Sequence, residues 1–271
     1  MSQPAAKAAE PLLLREDAGG IARLTMNRPA PRNALSRDLM DALQAEFAHI
    51  AEDRAVRAVV LTGAGPGFCA GHDLKELTAA RAEADRGRAF YEATMRQCSA
   101  LMQAIVHCPK PVIARVHGIA TAAGCQLVAS CDLAVAADEA KFATPGVNIG
   151  LFCSTPMVAL SRNVARKQAM EMLLTGEMIS AARAVEIGLV NRAVPAAELD
   201  AAVARFAETI ASKSAHTVSI GKRAFYEQLE KPLAEAYDYA SEVMVKNMRA
   251  RDAEEGIGAF IEKREPKWED R

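Results

Sequence analysis

The chain has 271 residues, 51% of them apolar and 25% charged, a balance that excludes an intrinsically disordered polymer. Its 33 basic and 34 acidic side chains leave a formal net charge of −1, and with no basic run to hold a polyanion the composition excludes nucleic acid and anionic membrane surfaces as expected partners and points to a small molecule. The longest apolar stretches, such as Ala58–Leu61, fall far short of the ~20 residues that a membrane span needs.

Met1–Glu10 is Ala-rich and polar, without an apolar core or an Arg series, and reads as a loose tail rather than an address. Leu12–Arg15 and Ile21–Met26 are short β-prone runs split by Asp17-Ala18-Gly19-Gly20, the pattern of a hairpin. Ser36 is placed to cap a helix in which Leu39, Met40, Leu43, Phe47 and Ile50 form one stripe, ending near Arg54. Ala58–Leu61, closed by Thr62-Gly63, reads as a strand buried on both faces, and residues 63–73 as loop. A helix from about Arg86 to His107 stops at Pro109-Lys110-Pro111, because proline cannot continue the ladder. Val112–Val116 is a second buried strand, Ala122–Ser130 a helix of small residues, and Leu133–Ala137 a third strand; this succession with short connections predicts parallel, layered α/β architecture. Beyond Pro145 the pattern turns helical, with stops at Gly176 and Gly188 and a last strand at Leu189–Val194.

No strand is predicted after Pro195, so residues 11–195 are expected to form the core and residues 196–271 a helical module. Pro232 opens a helix with the stripe Leu233, Ala236, Tyr237, Ala240, Val243, Met244 and Met248, which faces either its own core or another chain, and at least part of it is expected to be an oligomer contact. Asp252 with Glu255 resembles a capping box for the final helix.

Six cysteines contain no CxxC pair, so reduced thiols and a cytoplasmic location are expected, without disulfides. The five histidines show no ligand spacing, so no metal is expected. Gly65-x-Gly67-x-x-Ala70 superficially fits a dinucleotide fingerprint, but Pro66 separates the glycines, helix-like sequence begins late, and no strand ending in an acid follows at the required distance. Small residues at 69–71 instead allow a backbone N–H to approach a ligand. Residues 118–126 enter a helix straight from a strand, and free N–H groups at such a start favour developing negative charge; close helix packing alone would also explain these residues.

Several segments together resemble the crotonase superfamily, the enoyl-CoA hydratase/isomerase family, from about Leu12 to Trp268. They are Asn27-Arg28-Pro29 with Asn33-Ala34-Leu35, Phe68–Lys75, Lys110–Ala114 leading to His117-Gly118, Cys131–Ala134, Phe142–Pro145 and Phe260–Arg264. Residues 120–126 and 150–156 further resemble one subgroup within that family. The resemblance implies a spiral of ββα turns followed by helices that build trimers or dimers of trimers. It implies an acyl-CoA thioester as substrate, with no separate cofactor. Its carbonyl would lie between the N–H groups of His72 and Ala123, an oxyanion hole. Ala70, Asp73, Leu74 and Lys75 would border the CoA, while Phe260 and Lys263 of a neighbouring subunit would approach its adenosine and phosphate end; either lysine could equally be a solvated surface charge.

The chain departs from the family where proton transfer is done. Family hydratases carry glutamates at the positions of Gln126 and Gly146, and related isomerases and hydrolases an acid at that of Ser154; all three acids are absent. Each positioned acid or base contributes ~10²–10⁴ in rate, so hydration is expected to fall by at least ~10⁴, with Gln126→Glu plus Gly146→Glu expected to raise it. His72 and His117 are the titratable candidates nearby: the His72 side chain is expected to reach solvent, and His117 to be a hydrogen-bonded structural group. The implied functions are lyase-type turnover by unusual chemistry, acyl-CoA binding without turnover, or thioester hydrolysis through Ser154 or Cys153.

Overall fold

The computed structural model describes residues 10–271, so all of the Met1–Glu10 tail except Glu10 lies outside the described residues. Strands β1 (Leu13–Ala18) and β2 (Ile21–Met26) form the expected hairpin, with Ala18 opposite Ile21 across Gly19-Gly20. Helix α1 (Arg37–Glu52) begins at Ser36, whose hydroxyl accepts from Leu39 N at 3.2 Å. Its five-residue stripe is fully buried, and each such side chain contributes about 1.5–3 kcal/mol of burial free energy.

The chain then repeats one unit. Strands β3 (Ala58–Gly63) and β4 (Gly67–Cys69) lead into α2 (Leu74–Ala79) and α3 (Arg88–His107); β5 (Val112–Val116) and β6 (Ile119–Thr121) lead into α4 (Ala123–Ser130). Strands β7 (Leu133–Ala137) and β8 (Lys141–Ala143) precede a tight turn at Pro145–Ile149, then α5 (Pro156–Asn163), α6 (Arg166–Thr175), β9 (Ile179–Ser180), α7 (Ala181–Glu186) and β10 (Arg192–Val194). The first strand of each pair joins a six-stranded sheet ordered β1-β2-β3-β5-β7-β10, parallel except for β1, and the second joins a smaller sheet ordered β4-β6-β8-β9. This is the expected spiral of ββα turns.

The smaller sheet corrects the reading of residues 63–73 as loop and adds β6, β8 and β9, which went unread because strands of two or three residues display no alternation. The helix read from Ala122 begins one residue later, since Ala122 has φ 51° and ψ −118°, outside any helical region.

Four helices follow: α8 (Leu199–Ala211), α9 (Ala215–Leu229), α10 (Leu233–Met248) and α11 (Arg251–Glu262). Although α8 follows Pro195, its Leu199, Ala202, Val203 and Ala207 pack on Val60, Ile113, Val135 and Ala137 and close the second face of the large sheet. The stripe of α10 is not covered: Leu233 is 76% exposed and Tyr237 69%. The capping box predicted at Asp252 and Glu255 does not form. Ala250 is the cap, and the chain returning after α11 takes both carboxylates, Asp252 accepting from the backbone of Glu269 (2.7 Å) and Asp270 (3.0 Å), and Glu255 from Lys267 N (2.8 Å).

Candidate active site

Two segments of small residues meet where β4 and β6 lie side by side. A parallel bridge joins Leu35 to His72, in which Leu35 N donates to Gly71 O (2.7 Å) and Asp73 N to Leu35 O (3.0 Å). Those bonds use the groups on either side of His72, and its own N–H, turned to the opposite edge, has no acceptor among the described residues. The N–H of Ala123, first in α4, likewise has none, as expected of the first turn of a helix.

Backbone geometry brings these amides into adjacent segments. Gly71 has φ +94°, and a Cβ there would stand 2.9 Å from Ala122 Cβ and 3.3 Å from Ala123 N. A Cβ at Gly124 would overlap the Cys69 carbonyl, so only glycine lets α4 approach β4 this closely. Thr121 Oγ1 donates to Ala70 O (3.1 Å) and Ala122 N to Ala143 O (2.9 Å), fixing the peptide before Ala123. The positive φ of Ala122 costs about 1–3 kcal/mol, strain of the kind that concentrates at functional sites.

Asp73 is the N-cap of α2, accepting from Lys75 N (3.0 Å) and paired with Arg28 Nη2 (2.9 Å). Burial alone would raise its pKa, but the Arg28 guanidinium and the helix amides outweigh that and hold it below the usual carboxylate range. Leu74 is 53% exposed and Lys75 exposed beside it. Phe260, 85% exposed, and Lys263, in left-handed conformation at the end of α11, stand on the helical module and not with the residues at 70–75.

The stations of the absent acids differ from one another. Gln126 is buried at 5% exposure on α4, its Oε1 3.8 Å from Cys98 Sγ on α3. Gly146 is sealed: its carbonyl accepts from Leu151 N (2.9 Å), and a Cβ would overlap Leu151 O and stand 2.9 Å from Cys153 Sγ. The expectation that glutamate at 146 restores a proton carrier is therefore corrected, because the Leu151–Cys153 segment occupies the room that its side chain needs. Ser154 is exposed, with its hydroxyl 3.4 Å from Phe152 O.

The histidines also depart from expectation. The ring nitrogens of half-buried His72 do not reach solvent, and neither makes a well-formed hydrogen bond among the described residues; burial lowers the pKa more than the nearby Leu35 backbone raises it, leaving the ring neutral at pH 7. His117 Nε2 lies 2.9 Å from Gly65 O, a structural contact. All six cysteines are buried as free thiols, and burial pushes those of Cys125 and Cys98 up to about 12, the behaviour of packing groups rather than nucleophiles.

Sequence reasoning gave Arg28 and Ala122 no individual role, although the first holds Asp73 and the second sets the Ala123 amide; the run of small residues at 120–124 was the available signal for the second. A cavity of about 250 Å³ between α3 and α9, lined by His107, Cys108, Ser219 and Arg223 among others, touches neither the residues at 70–75 nor those at 120–126. Beside it Lys222 Nζ donates to Asp132 Oδ2 (2.7 Å) and to two backbone carbonyls, while Tyr226 Oη donates to Asp132 Oδ1 (2.9 Å), tying α9 to the core. Among the described residues no group of three or more His, Cys, Asp or Glu could hold a metal, and no helix is long and apolar enough to cross a membrane.

Comparison with known proteins identifies the family. Residues 16–271 match the enoyl-CoA hydratase/isomerase family. The chain is 47% identical over 268 residues to the rat protein named enoyl-CoA hydratase domain-containing protein 3, mitochondrial, covering 98% of this chain and 88% of the relative. The human protein of that name is 49% identical over 249 residues, covering 92% and 80%. The crystal structure of an enoyl-CoA hydratase from Mycobacterium smegmatis superposes with a TM-score of 0.91 at 53% identity, covering 96% of this chain and 99% of that one. The rat and human relatives carry the name of the subgroup suggested by residues 120–126 and 150–156. Their mitochondrial names overturn the cytoplasmic location expected from the cysteines. Unpaired cysteines argue against secreted, ER and periplasmic settings, where disulfides persist, and do not choose among reducing interiors.

Proposed function

The chain belongs to the enoyl-CoA hydratase/isomerase family and has its crotonase fold, and from that premise we propose that it binds acyl-CoA thioesters with the carbonyl oxygen between the N–H groups of His72 and Ala123. The observation that carries this reading is the pair of uncommitted amides on adjacent segments, set by Gly71 at φ +94° and Ala122 at φ 51°. Preorganised backbone donors of this kind stabilise an enolate or tetrahedral oxyanion, each contributing ~10²–10³ in rate.

Proton transfer is the missing half. Hydration needs a base for the water and an acid for the α-carbon. Gln126 can orient a group but releases no proton at neutral pH, and the 146 station is sealed. Standard hydration is therefore weak, and a second reading, acyl-CoA binding without turnover, gains from that same seal. Thioester hydrolysis is disfavoured because Ser154 has no base within hydrogen-bond reach among the described residues and burial raises the Cys153 pKa.

Ala70, Asp73, Leu74 and Lys75 border the CoA in this reading, and Phe260 and Lys263 of a second copy reach its adenosine end. Support for that second copy comes from Leu233, Tyr237, Phe260 and Ile261, 69–85% exposed on α10 and α11, an apolar face that a trimer or dimer of trimers buries. Light scattering after gel filtration should give the mass of three or six chains; a monomer contradicts the assembly. Calorimetric titration with acetyl- and crotonyl-CoA, run beside a hydration assay, tests the site. Measurable binding with hydration at least ~10⁴ below glutamate-bearing relatives is expected, and hydration at their rate overturns the reading.

A further inference from the structure

Helix α11, which carries Phe260 and Lys263, is weakly seated by its own side chains. Only Asp252 and Ala259 of this helix are buried, whereas a helix in a folded protein is ordinarily held by packing of an apolar face. Within its own subunit something other than a hydrophobic stripe fixes it.

That part is taken by the chain returning from it. Lys263, in left-handed conformation at φ 57°, is the residue on which the backbone turns, and Arg264 N donates to Ala259 O (3.0 Å). The segment then runs back along α11 to its first turn. Glu255 accepts from Lys267 N (2.8 Å) and from the Arg264 guanidinium (2.6 and 3.0 Å), Asp252 accepts from the backbone of Glu269 and Asp270, and Asp252 N donates to Arg271 O (3.0 Å). The same segment is anchored beyond the helix. The Trp268 ring lies so close to α11 that a Cβ at Gly256 would stand 3.1 Å from it, and its Nε1 donates to Ser212 O at the end of α8 (2.9 Å). Asp270 accepts from Ala215 N in the first turn of α9 (2.8 Å) and pairs with Arg57 Nη1 (2.8 Å), while Arg57, just before β3, also donates from Nε to Ala211 O (2.7 Å).

From this arrangement we infer that residues 264–271 are a strap that positions Phe260 and Lys263 for the adenosine end of a CoA bound by a neighbouring copy, with Trp268 and Asp270 as its positioning residues. The inference rests on the acyl-CoA reading and names what fixes the second copy's contribution to that site. Neither positioning residue touches the ligand. They act through α11, because groups displaced by about 1 Å lose much of their effect, and Lys263 is itself the turning residue.

Two variants and two ligands test it. Trp268→Ala removes the ring and its N–H, and Asp270→Ala cuts the bonds to Arg57 and Ala215. Each should weaken acetyl-CoA binding about 5-fold or more, as expected when an aromatic contact to a base is lost, and should change binding of S-acetylpantetheine, which lacks the adenosine end, by less than about 2-fold. Calorimetry reads the first ligand and ligand-detected NMR the weaker second, with light scattering showing which variants keep the mass of the parent assembly; where one variant comes apart, the other is read. An equal loss for both ligands, acetyl-CoA binding within about 2-fold of the parent, or dissociation of the assembly in both variants overturns this inference alone, the last because the segment would then hold the interface and not the nucleotide contact. A parent that binds acetyl-CoA as a monomer overturns the inference together with the second copy but leaves the two-amide site standing. Failure of the unaltered protein to bind acetyl-CoA overturns the acyl-CoA reading and this inference with it.

Discussion

The junction of residues 70–73 with 121–124 and the turn at residues 146–153 are both built from small residues, yet they are opposite in kind. At the first, positive-φ backbone at Gly71 and Ala122 leaves two amides without an acceptor among the described residues. At the second, the Gly146 carbonyl is taken by Leu151 N and the space beside its Cα is filled by Leu151 and Cys153. One region retains donors for a ligand and the other is closed. In the proposed reading the first region polarises a carbonyl, while beside Gly146 there is no room for a side chain that could carry a proton, which is a stronger statement than the absence of glutamates in the sequence.

The largest expected effect breaks the open region. Gly124→Ala forces a methyl into the Cys69 carbonyl and should destabilise the protein by more than about 3 kcal/mol, read as loss of the cooperative thermal transition or a fall in Tm of roughly 6 °C or more. A Tm within about 2 °C of the parent would mean that β4 and α4 are not in this close contact. Next comes the closed region. Adding Gly146→Glu to Gln126→Glu should lower Tm and give no more crotonyl-CoA hydration than Gln126→Glu alone. A gain of tenfold or more from the second substitution would show that the turn opens readily and that the station is usable.

How much of this was legible beforehand follows from where the physics is local. Ala58–Leu61 and Val112–Val116 could be read because a strand buried on both faces is a continuous apolar run, and the α1 stripe because its period is 3.6. The strands at 67–69, 119–121 and 141–143 are too short to carry a period, so the smaller sheet, which brings the two amides together, was invisible except through family resemblance. The seal at Gly146 depends on a chain segment five to seven residues on folding back. The capping box failed for a related reason: Asp252 and Glu255 had the right spacing, but the returning chain bound them first.

Two smaller effects sharpen the comparison from its edges. Asp73→Asn keeps a cap for α2 but removes the charge opposite Arg28, and should cost about 1–2 kcal/mol at pH 7. Because the folded pKa of Asp73 lies below its unfolded value, its contribution is fully present above about pH 4 and lost as pH falls through the lower folded value. The variant should therefore show a shallower loss of Tm on acidification, and parallel curves for variant and parent would rule out this ion pair as a source of stability. Lys263→Ala, removing an exposed charge, should weaken acyl-CoA binding by no more than about 3-fold, and a loss of 100-fold would make it a principal anchor.

The most direct test of the two-amide site is the infrared stretch of an acyl-CoA labelled with ¹³C at the thioester carbonyl, recorded free and bound. Hydrogen bonds from His72 N–H and Ala123 N–H should move the bound band to lower frequency than in water. A bound band at or above the aqueous position would contradict the account, since the carbonyl would then not lie between those amides.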